Sequence, residues 1–185
     1  QGKPADGVYA LTKGAARVIK ARAANDRTLV DFIAPNQWFG EFSVLDAGPR
    51  ETRVEVTMPT TAVHIPAADF LRLHAESPAF ALEVTQWMCR KLRFLTNALT
   101  DAVALTLRQR LARLVLRLAD TFPEPNGAQM RLSLPLPQED LASMLGATRQ
   151  RINQILRDWQ LANLVKVEYR HIVLLDPAGL KRLAD

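Results

Sequence analysis

The first third of the chain alternates short β-rich apolar runs with turn residues. Five such runs follow one another at 8–11, 16–19, 29–33, 53–56 and 62–65. Turn signals such as Lys13-Gly14, Asn25-Asp26 and Gly48-Pro49 separate them. This spacing predicts an antiparallel sandwich or barrel. Five strands are few for a closed all-β unit, so we expect further strands upstream of Gln1, where the chain opens without Met.

A long helix is predicted after a short one at 66–73. Ser77-Pro78 places an N-cap residue before a proline at the first helical position. Apolar positions then recur at alternating spacings of four and three, as in a two-stranded coiled coil. These positions are Met88, Leu92, Leu95, Leu99 and Ala102. The pattern predicts a homodimer interface, and the alternative is a single amphipathic helix packed on its own domain.

A second helix begins at a capping box. Thr106 is followed three residues later by Gln109, and Leu111, Leu114 and Leu118 then define a new apolar face. The break places a hinge at 104–106, and a loop is predicted at 122–127. We therefore divide the chain into a β-rich part at 1–76, a dimerisation helix at 77–105 and a C-terminal domain at 106–185.

The spacing of a helix-turn-helix appears at residues 137–159. Counted from Gln138, small or apolar residues stand at the fifth, ninth, fifteenth and eighteenth positions: Ala142, Gly146, Ile152 and Ile155. The alanine permits close helix crossing, the glycine permits a tight turn, and the isoleucines with Trp159 anchor the second helix. The alternative is an ordinary helical hairpin with a polar outer face.

Hydrogen-bonding side chains fill the other face of the predicted second helix. Arg matches guanine O6 and N7, and Gln or Asn matches adenine N6 and N7. The candidates for reading bases are Arg149, Gln150, Asn153 and Gln154, and those for holding phosphates are Thr148, Arg151 and Arg157. Thr148 is also placed to cap the helix. Two β runs around Tyr169-Arg170 predict a wing, in which Lys166, Arg170 and His171 are candidate backbone contacts.

Charge is distributed unevenly along the 185 residues. The net charge is +5; residues 1–87 hold 9 basic and 10 acidic side chains, and residues 88–185 hold 15 and 9. The asymmetry indicates that the C-terminal part faces a polyanion, with a solvated basic surface as the alternative.

Composition excludes several other classes of protein. With one cysteine, Cys89, and three scattered histidines, we expect no disulfide and no metal site. No apolar run reaches the roughly 20 residues of a membrane helix, so we expect a cytoplasmic protein with no membrane partner. The sequence contains no nucleophile paired with a base, no acid pair in a suggestive context and no glycine-rich phosphate loop. Nothing in it therefore indicates an enzyme.

Taken together, these motifs resemble the Crp/Fnr family of bacterial transcription regulators. Residues 2–9 followed by Gly14 resemble the family's mid-β-roll signature, and residues 39–50 resemble its phosphate-binding cassette. The resemblance implies an α+β fold: an antiparallel β-roll (a partial double-stranded β-helix), a long dimerisation helix and a C-terminal winged helix-turn-helix. It further implies that the first quarter to third of the effector domain is absent here. The implied partners are double-stranded DNA with a near-palindromic operator, a second copy of the chain and RNA polymerase.

The same resemblance implies an effector site for a cyclic nucleotide, cAMP or cGMP. The residues carried over from the family are Gly40, Glu41, Phe42, Arg50, Thr52 and Thr96. Glu51 and Thr52 stand where relatives carry Ser and Ala, and a carboxylate beside a phosphate is repulsive by about 1 kcal/mol. A cyclic nucleotide, another small effector and a degenerate pocket all stay open, as does a merely geometric β-turn at Gly40-Glu41.

Two departures concern the function itself. Gln150 and Gln154 stand where relatives often carry Glu and Arg, which predicts a different half-site. The main prediction is a sequence-specific transcription regulator controlled through the β-roll. The alternative is a cyclic-nucleotide-binding module that acts through protein contacts.

Overall fold

The computed structural model describes residues 1–23, 26–124 and 130–184. The chain divides into two compact units, residues 1–100 and 101–185. The predicted turn at Asn25-Asp26 and the predicted loop at 122–127 lie partly outside the described residues.

Among its described residues, the first unit contains six strands and three helices, the last of which continues past residue 100. The strands are Gly7–Lys13 (β1), Ala16–Ala23 (β2), Asp26–Ile33 (β3), Trp38–Phe39 (β4), Arg53–Val56 (β5) and Thr61–Pro66 (β6). The helices are Glu41–Leu45 (α1), Ala67–Glu76 (α2) and Pro78–Ala104 (α3). The short α1 corrects the β-turn considered at Gly40-Glu41.

Two three-stranded antiparallel sheets form the β-roll. One has the order β4-β1-β6 and the other β3-β2-β5. Leu11 and Phe39 from the first sheet pack with Ala16, Ile33 and Val54 from the second. The sheets therefore enclose one core, and the antiparallel β-roll implied by the family resemblance is confirmed.

A second core joins the β-roll to the helices that follow it. Val8, Val44 and Phe70 are buried there, and Phe80 and Val84 of α3 pack against them. Ser77 caps α3 as predicted, because its Oγ accepts a hydrogen bond from the amide of Phe80 at 3.3 Å. The start of α3 is thus fixed to the β-roll.

The rest of α3 exposes its apolar side chains. None of its 27 residues is buried. Leu92, Leu95 and Leu99 are 65%, 51% and 69% exposed. The predicted interface positions therefore form an uncovered stripe, to which Met88 contributes a half-buried and Ala102 an exposed side chain.

The second unit is helical with a small sheet. Its helices are Leu107–Thr121 (α4), Gln138–Leu145 (α5), Arg149–Leu161 (α6) and Pro177–Ala184 (α7), and its strands are Met130–Arg131 (β7), Val165–Glu168 (β8) and His171–Leu174 (β9). The sheet order is β7-β9-β8, all antiparallel. Thr106 and Gln109 form the predicted capping box at the start of α4. The helix pair, sheet and hairpin are those of a winged helix-turn-helix.

The described residues lack two features that other classes of protein carry. Within them, no helix combines the length and apolarity needed to cross a membrane. The same residues contain no group of three or more His, Cys, Asp or Glu side chains arranged to hold a metal ion.

Candidate nucleic-acid interface and effector pocket

The turn between α5 and α6 depends on Gly146. This residue ends α5 with φ +61°, in the left-handed region that favours glycine. Open space surrounds the position where a Cβ would lie, so backbone conformation rather than crowding favours glycine here. Thr148 then caps α6, accepting a hydrogen bond from the amide of Arg151 at 3.3 Å.

One face of α6 is anchored in the core of the second unit. Ile152, Leu156 and Trp159 are buried, with Ile152 and Trp159 at 0% exposure. The expectation that Ile155 completes this anchor is wrong, since its side chain is only half-buried. At 100° per residue, Leu156 lies about 40° from Ile152 on the side away from Trp159, and Ile155 lies about 60° away on the other side.

The other face of α6 is polar and open to solvent. Most of the predicted DNA-contacting side chains are exposed: Thr148, Arg149, Gln150, Arg151, Gln154 and Arg157. Asn153 is half-buried. Six of the seven residues selected from sequence are therefore exposed on α6 and its N-cap.

Gln154 is engaged by residues that sequence reasoning missed. Its Nε2 donates to Asp158 Oδ1 at 3.1 Å, and Asp158 Oδ2 lies 3.5 Å from Arg108 NH1. Asp158 stands four residues after Gln154, and residues at this spacing are neighbours on a helix surface. Arg108 is 50 positions away, so nothing local in the sequence indicates this pairing.

The wing presents two exposed side chains at its turn. Tyr169 and Arg170 connect β8 to β9, and both are exposed. Lys166 pairs with Glu168 at 3.0 Å. His171 is turned toward the protein, with Nδ1 3.3 Å from the carbonyl oxygen of Leu132. Of the three predicted wing contacts, Arg170 and Lys166 are thus exposed and His171 is half-buried.

The cassette of the first unit carries a buried carboxylate. Glu41 begins α1, is only 2% exposed, and its Oε1 lies 2.5 Å from Lys91 Nζ. Lys91 also donates to the carbonyl oxygen of Trp38 at 3.3 Å. Glu41 Oε2 is buried without a hydrogen-bond partner among the described residues. A buried acceptor of this kind fits a ligand that brings a hydroxyl donor.

Aromatic rings surround the Lys91 ammonium. Its Nζ lies 5.1 Å from the ring centre of Phe42 and 5.3 Å from that of Trp87. Both distances are in the range of cation–π attraction. Lys91 therefore links the cassette to α3, a role that no local motif in the sequence indicates.

Arg50 is held by partners within the protein. Its guanidinium donates to the carbonyl oxygen of Gly40 at 2.8 Å, to Asp6 Oδ1 at 2.6 Å and to the carbonyl oxygen of Gly7. It also lies 5.8 Å from the ring centre of Tyr9. A side chain at Gly40 would collide with this guanidinium, at 2.2 Å from NH1.

Asp6 is the internal counter-anion of Arg50. The Tyr9 hydroxyl donates to Asp6 Oδ2 at 2.6 Å. This hydrogen bond, together with that from Arg50, lowers the pKa of the Asp6 carboxyl to about 2. The same contact raises the pKa of Tyr9. The group expected to meet a phosphate is therefore already paired with a carboxylate.

The remaining predicted effector residues are placed differently. Glu51 is 68% exposed and pairs with Lys20 at 2.6 Å, so Lys20 offsets part of the repulsion expected of Glu51. Thr52 is half-buried. Thr96 is exposed on α3, where its hydroxyl donates to the carbonyl oxygen of Leu92 at 2.9 Å.

Comparison with known proteins matches both units. The sequence model of the cyclic nucleotide-binding domain matches residues 1–77, and that of the Crp-like helix-turn-helix domain matches residues 109–183. The chain is 26% identical over 184 residues to the CRP-like cAMP-activated global transcriptional regulator of Mycobacterium tuberculosis, covering 100% of this chain and 82% of that protein. It is 27% identical over 187 residues to the transcriptional regulator LdrP of Thermus thermophilus, covering 100% and 90%.

The fold has counterparts among solved structures. FixK2 from Bradyrhizobium japonicum aligns with a TM-score of 0.86 at 20% identity, covering 100% of this chain and 90% of that one. A β-roll, a long helix and a winged helix-turn-helix define a class of DNA-binding transcription regulators. The chain belongs to the Crp/Fnr family of these regulators. Proteins of this family regulate transcription and are not enzymes, as the sequence predicts.

Proposed function

We propose that the protein is a homodimeric, sequence-specific transcription regulator whose helix-turn-helix is controlled by a small effector bound in the β-roll. The observation that carries the proposal is the two-sided character of α6. Ile152, Leu156 and Trp159 are buried on one side, and its Arg and Gln side chains are exposed on the other. A helix anchored in this way can enter a major groove with its polar face toward the bases.

Arg149, Gln150, Asn153 and Gln154 read base edges in this proposal. Thr148, Arg151 and Arg157 hold phosphates and set the position of the helix. A two-fold dimer places two such helices about 34 Å apart, which matches successive major grooves of a near-palindromic operator. The excess of basic residues after Trp87 favours approach to the DNA.

The second copy of the chain covers the exposed stripe of α3. Leu92, Leu95 and Leu99 follow the coiled-coil spacing and are each more than half exposed. Burying such side chains between two helices removes apolar surface from water. Met88 and Ala102 extend the same interface.

A cyclic nucleotide is the effector class that the cassette supports best. Glu41 Oε2 is available to accept a hydrogen bond from a ribose hydroxyl. Arg50 meets the cyclic phosphate once it leaves Asp6, and Gly40, Phe42, Thr52 and Thr96 complete the candidate set. The cAMP-activated relatives support this choice.

Control operates by population shift. The protein exchanges between a state that can bind DNA and one that cannot. An effector that binds the first state more tightly shifts the equilibrium toward it, by a factor of at most the ratio of its two affinities. The family resemblance further supports contact with RNA polymerase and action in the cytoplasm.

The test is selection of binding sites from random duplexes by the full chain. We expect the selected site to be a near-palindrome. Arg149→Ala should weaken binding to it by about 1–3 kcal/mol and relax the preference at one base pair. Arg72→Ala, which removes an equal charge from α2, is the matched control and should leave the preference unchanged.

Two results would contradict the proposal. One is an unchanged base preference in Arg149→Ala. The other is a wild-type protein that selects no sequence with or without cAMP or cGMP, which would favour the module that acts through protein contacts.

A further inference from the structure

The amide of Gln154 has a fixed orientation because of its partner. Its Nε2 lies 3.1 Å from Asp158 Oδ1, and an ionised carboxylate only accepts hydrogen bonds. The nitrogen end of the amide must therefore face Asp158. A glutamine without such a partner exchanges its nitrogen and oxygen by a half-turn about its last side-chain bond and presents either end.

Asp158 is itself anchored at its second oxygen. Oδ2 lies 3.5 Å from NH1 of Arg108, at the start of α4 in the same unit. The two side chains are 39% and 44% exposed, so the contact lies at the surface. Arg108 also offsets the negative charge of Asp158, which otherwise opposes the approach of phosphates.

The amide atoms of Gln154 that do not contact Asp158 form a defined pattern of hydrogen-bond donor and acceptor. With one N–H given to Asp158, Gln154 keeps one N–H donor and the carbonyl acceptor Oε1. Adenine presents an N6 donor beside an N7 acceptor in the major groove, whereas guanine presents two acceptors, O6 and N7. The fixed amide matches adenine at both atoms. Against guanine, the carbonyl oxygen of the amide faces another acceptor.

We propose that Asp158 is a specificity-determining positioning residue, which makes Gln154 select adenine and reject guanine. The inference rests on the proposed function, since it assumes that α6 reads DNA. Asp158 touches no base in this proposal. It acts by occupying one N–H of Gln154, so that the amide nitrogen cannot offer both of its N–H groups to O6 and N7 of guanine.

The experiment compares base preferences of the full chain by site selection and by titration of single-base variants of the selected operator. Asp158→Asn keeps the size of the side chain, but its amide both donates and accepts, so it no longer fixes Gln154. We expect the adenine-over-guanine preference at the base pair read by Gln154 to fall about threefold, with other positions unchanged.

Asp120→Asn is the matched control. Asp120 is an exposed carboxylate on α4, so this change removes the same charge from the same unit. Both variants should gain affinity for all DNA, because each loses a negative charge. Only Asp158→Asn should alter the preference at the single base pair.

A double variant separates positioning from a direct effect. In a Gln154→Ala background, Asp158→Asn should produce no further change in base preference. Arg108→Gln should shift the preference in the same direction as Asp158→Asn but less, because Asp158 then keeps only the contact with Gln154.

Three outcomes would overturn the inference. The first is that Asp158→Asn keeps the wild-type base preference at every position, while Arg149→Ala relaxes the preference at the base pair that Arg149 reads. The second is an equal shift by Asp158→Asn with and without Gln154. The third, a wild-type protein that selects no sequence, overturns the proposed function and the inference together.

Discussion

Asp6 determines whether the guanidinium of Arg50 is free to bind an anion. The carboxylate holds the guanidinium at 2.6 Å, and its pKa is lowered to about 2 from an ordinary value of 3.8. A lowered pKa in the folded state means that ionised Asp6 stabilises the fold above about pH 4. This contribution is lost as the pH falls toward 2. At neutral pH the carboxylate stays ionised, so protonation does not free Arg50 there.

Substitution can release Arg50 where protonation cannot. Asp6→Asn keeps the shape of the side chain and removes its charge, so an anionic effector no longer competes with a carboxylate. We expect the affinity for cAMP or cGMP, measured by calorimetry at pH 7, to rise severalfold. Asp69→Asn, an exposed carboxylate on α2, is the control and should bind as wild type does.

The same variant tests the pH dependence of stability. In wild type, the free energy of unfolding should include a small loss between about pH 4 and 2 that Asp6→Asn lacks. The loss should stay below about 1 kcal/mol, because Asp6 is 62% exposed and water screens its ion pair. Unchanged effector affinity in Asp6→Asn would contradict the role given to this residue.

At the scale of an element, α6 shows how a helix is anchored. Leu156 is 1% exposed, whereas Ile155 is half-buried. Leu156→Ala should therefore destabilise the second unit by about 2–5 kcal/mol. Ile155→Ala should cost clearly less, which urea unfolding of both variants would measure. Equal losses would show that the two side chains contribute alike to the anchor.

The elements also show what sequence patterns can and cannot predict. Long strands and helices gave clear patterns, from which the antiparallel strands, the long helix and the winged helix-turn-helix were predicted, and the family resemblance implied the α+β architecture. The five-residue α1 and the two-residue β4 and β7 are too short to show a period. Ile155 and Leu156 lie on opposite flanks of the buried face, so helical geometry alone did not choose between them.

The candidate sites were predictable to the extent that they are local. The exposed Arg and Gln side chains of α6 follow from its sequence, because each lies a known angle from the buried face. Lys91 meets Glu41 across 50 positions, as Arg108 meets Asp158. Such contacts depend on how helices pack, which spacing along one helix does not record.

At the scale of the whole molecule, the proposed dimer depends on the exposed stripe of α3. Leu99→Asp places a charge within the exposed stripe, where a second helix would bury it. We expect this variant to be monomeric by sedimentation and to lose affinity for a two-fold operator. Thr100→Asp puts the same charge on an exposed residue beside the stripe and should remain dimeric. A dimeric Leu99→Asp would contradict the assignment of the interface.

The proposed dimer would also tie folding to protein concentration, because α3 has no buried residue over its 27 positions in the single chain. If two copies must meet before this helix is covered, the melting temperature rises with protein concentration, as it does for any obligate dimer. Dilution alone then unfolds protein that stays folded at a higher concentration and the same temperature. The number of molecules per cell would thereby set how much of the regulator is fit to act, before any effector is present.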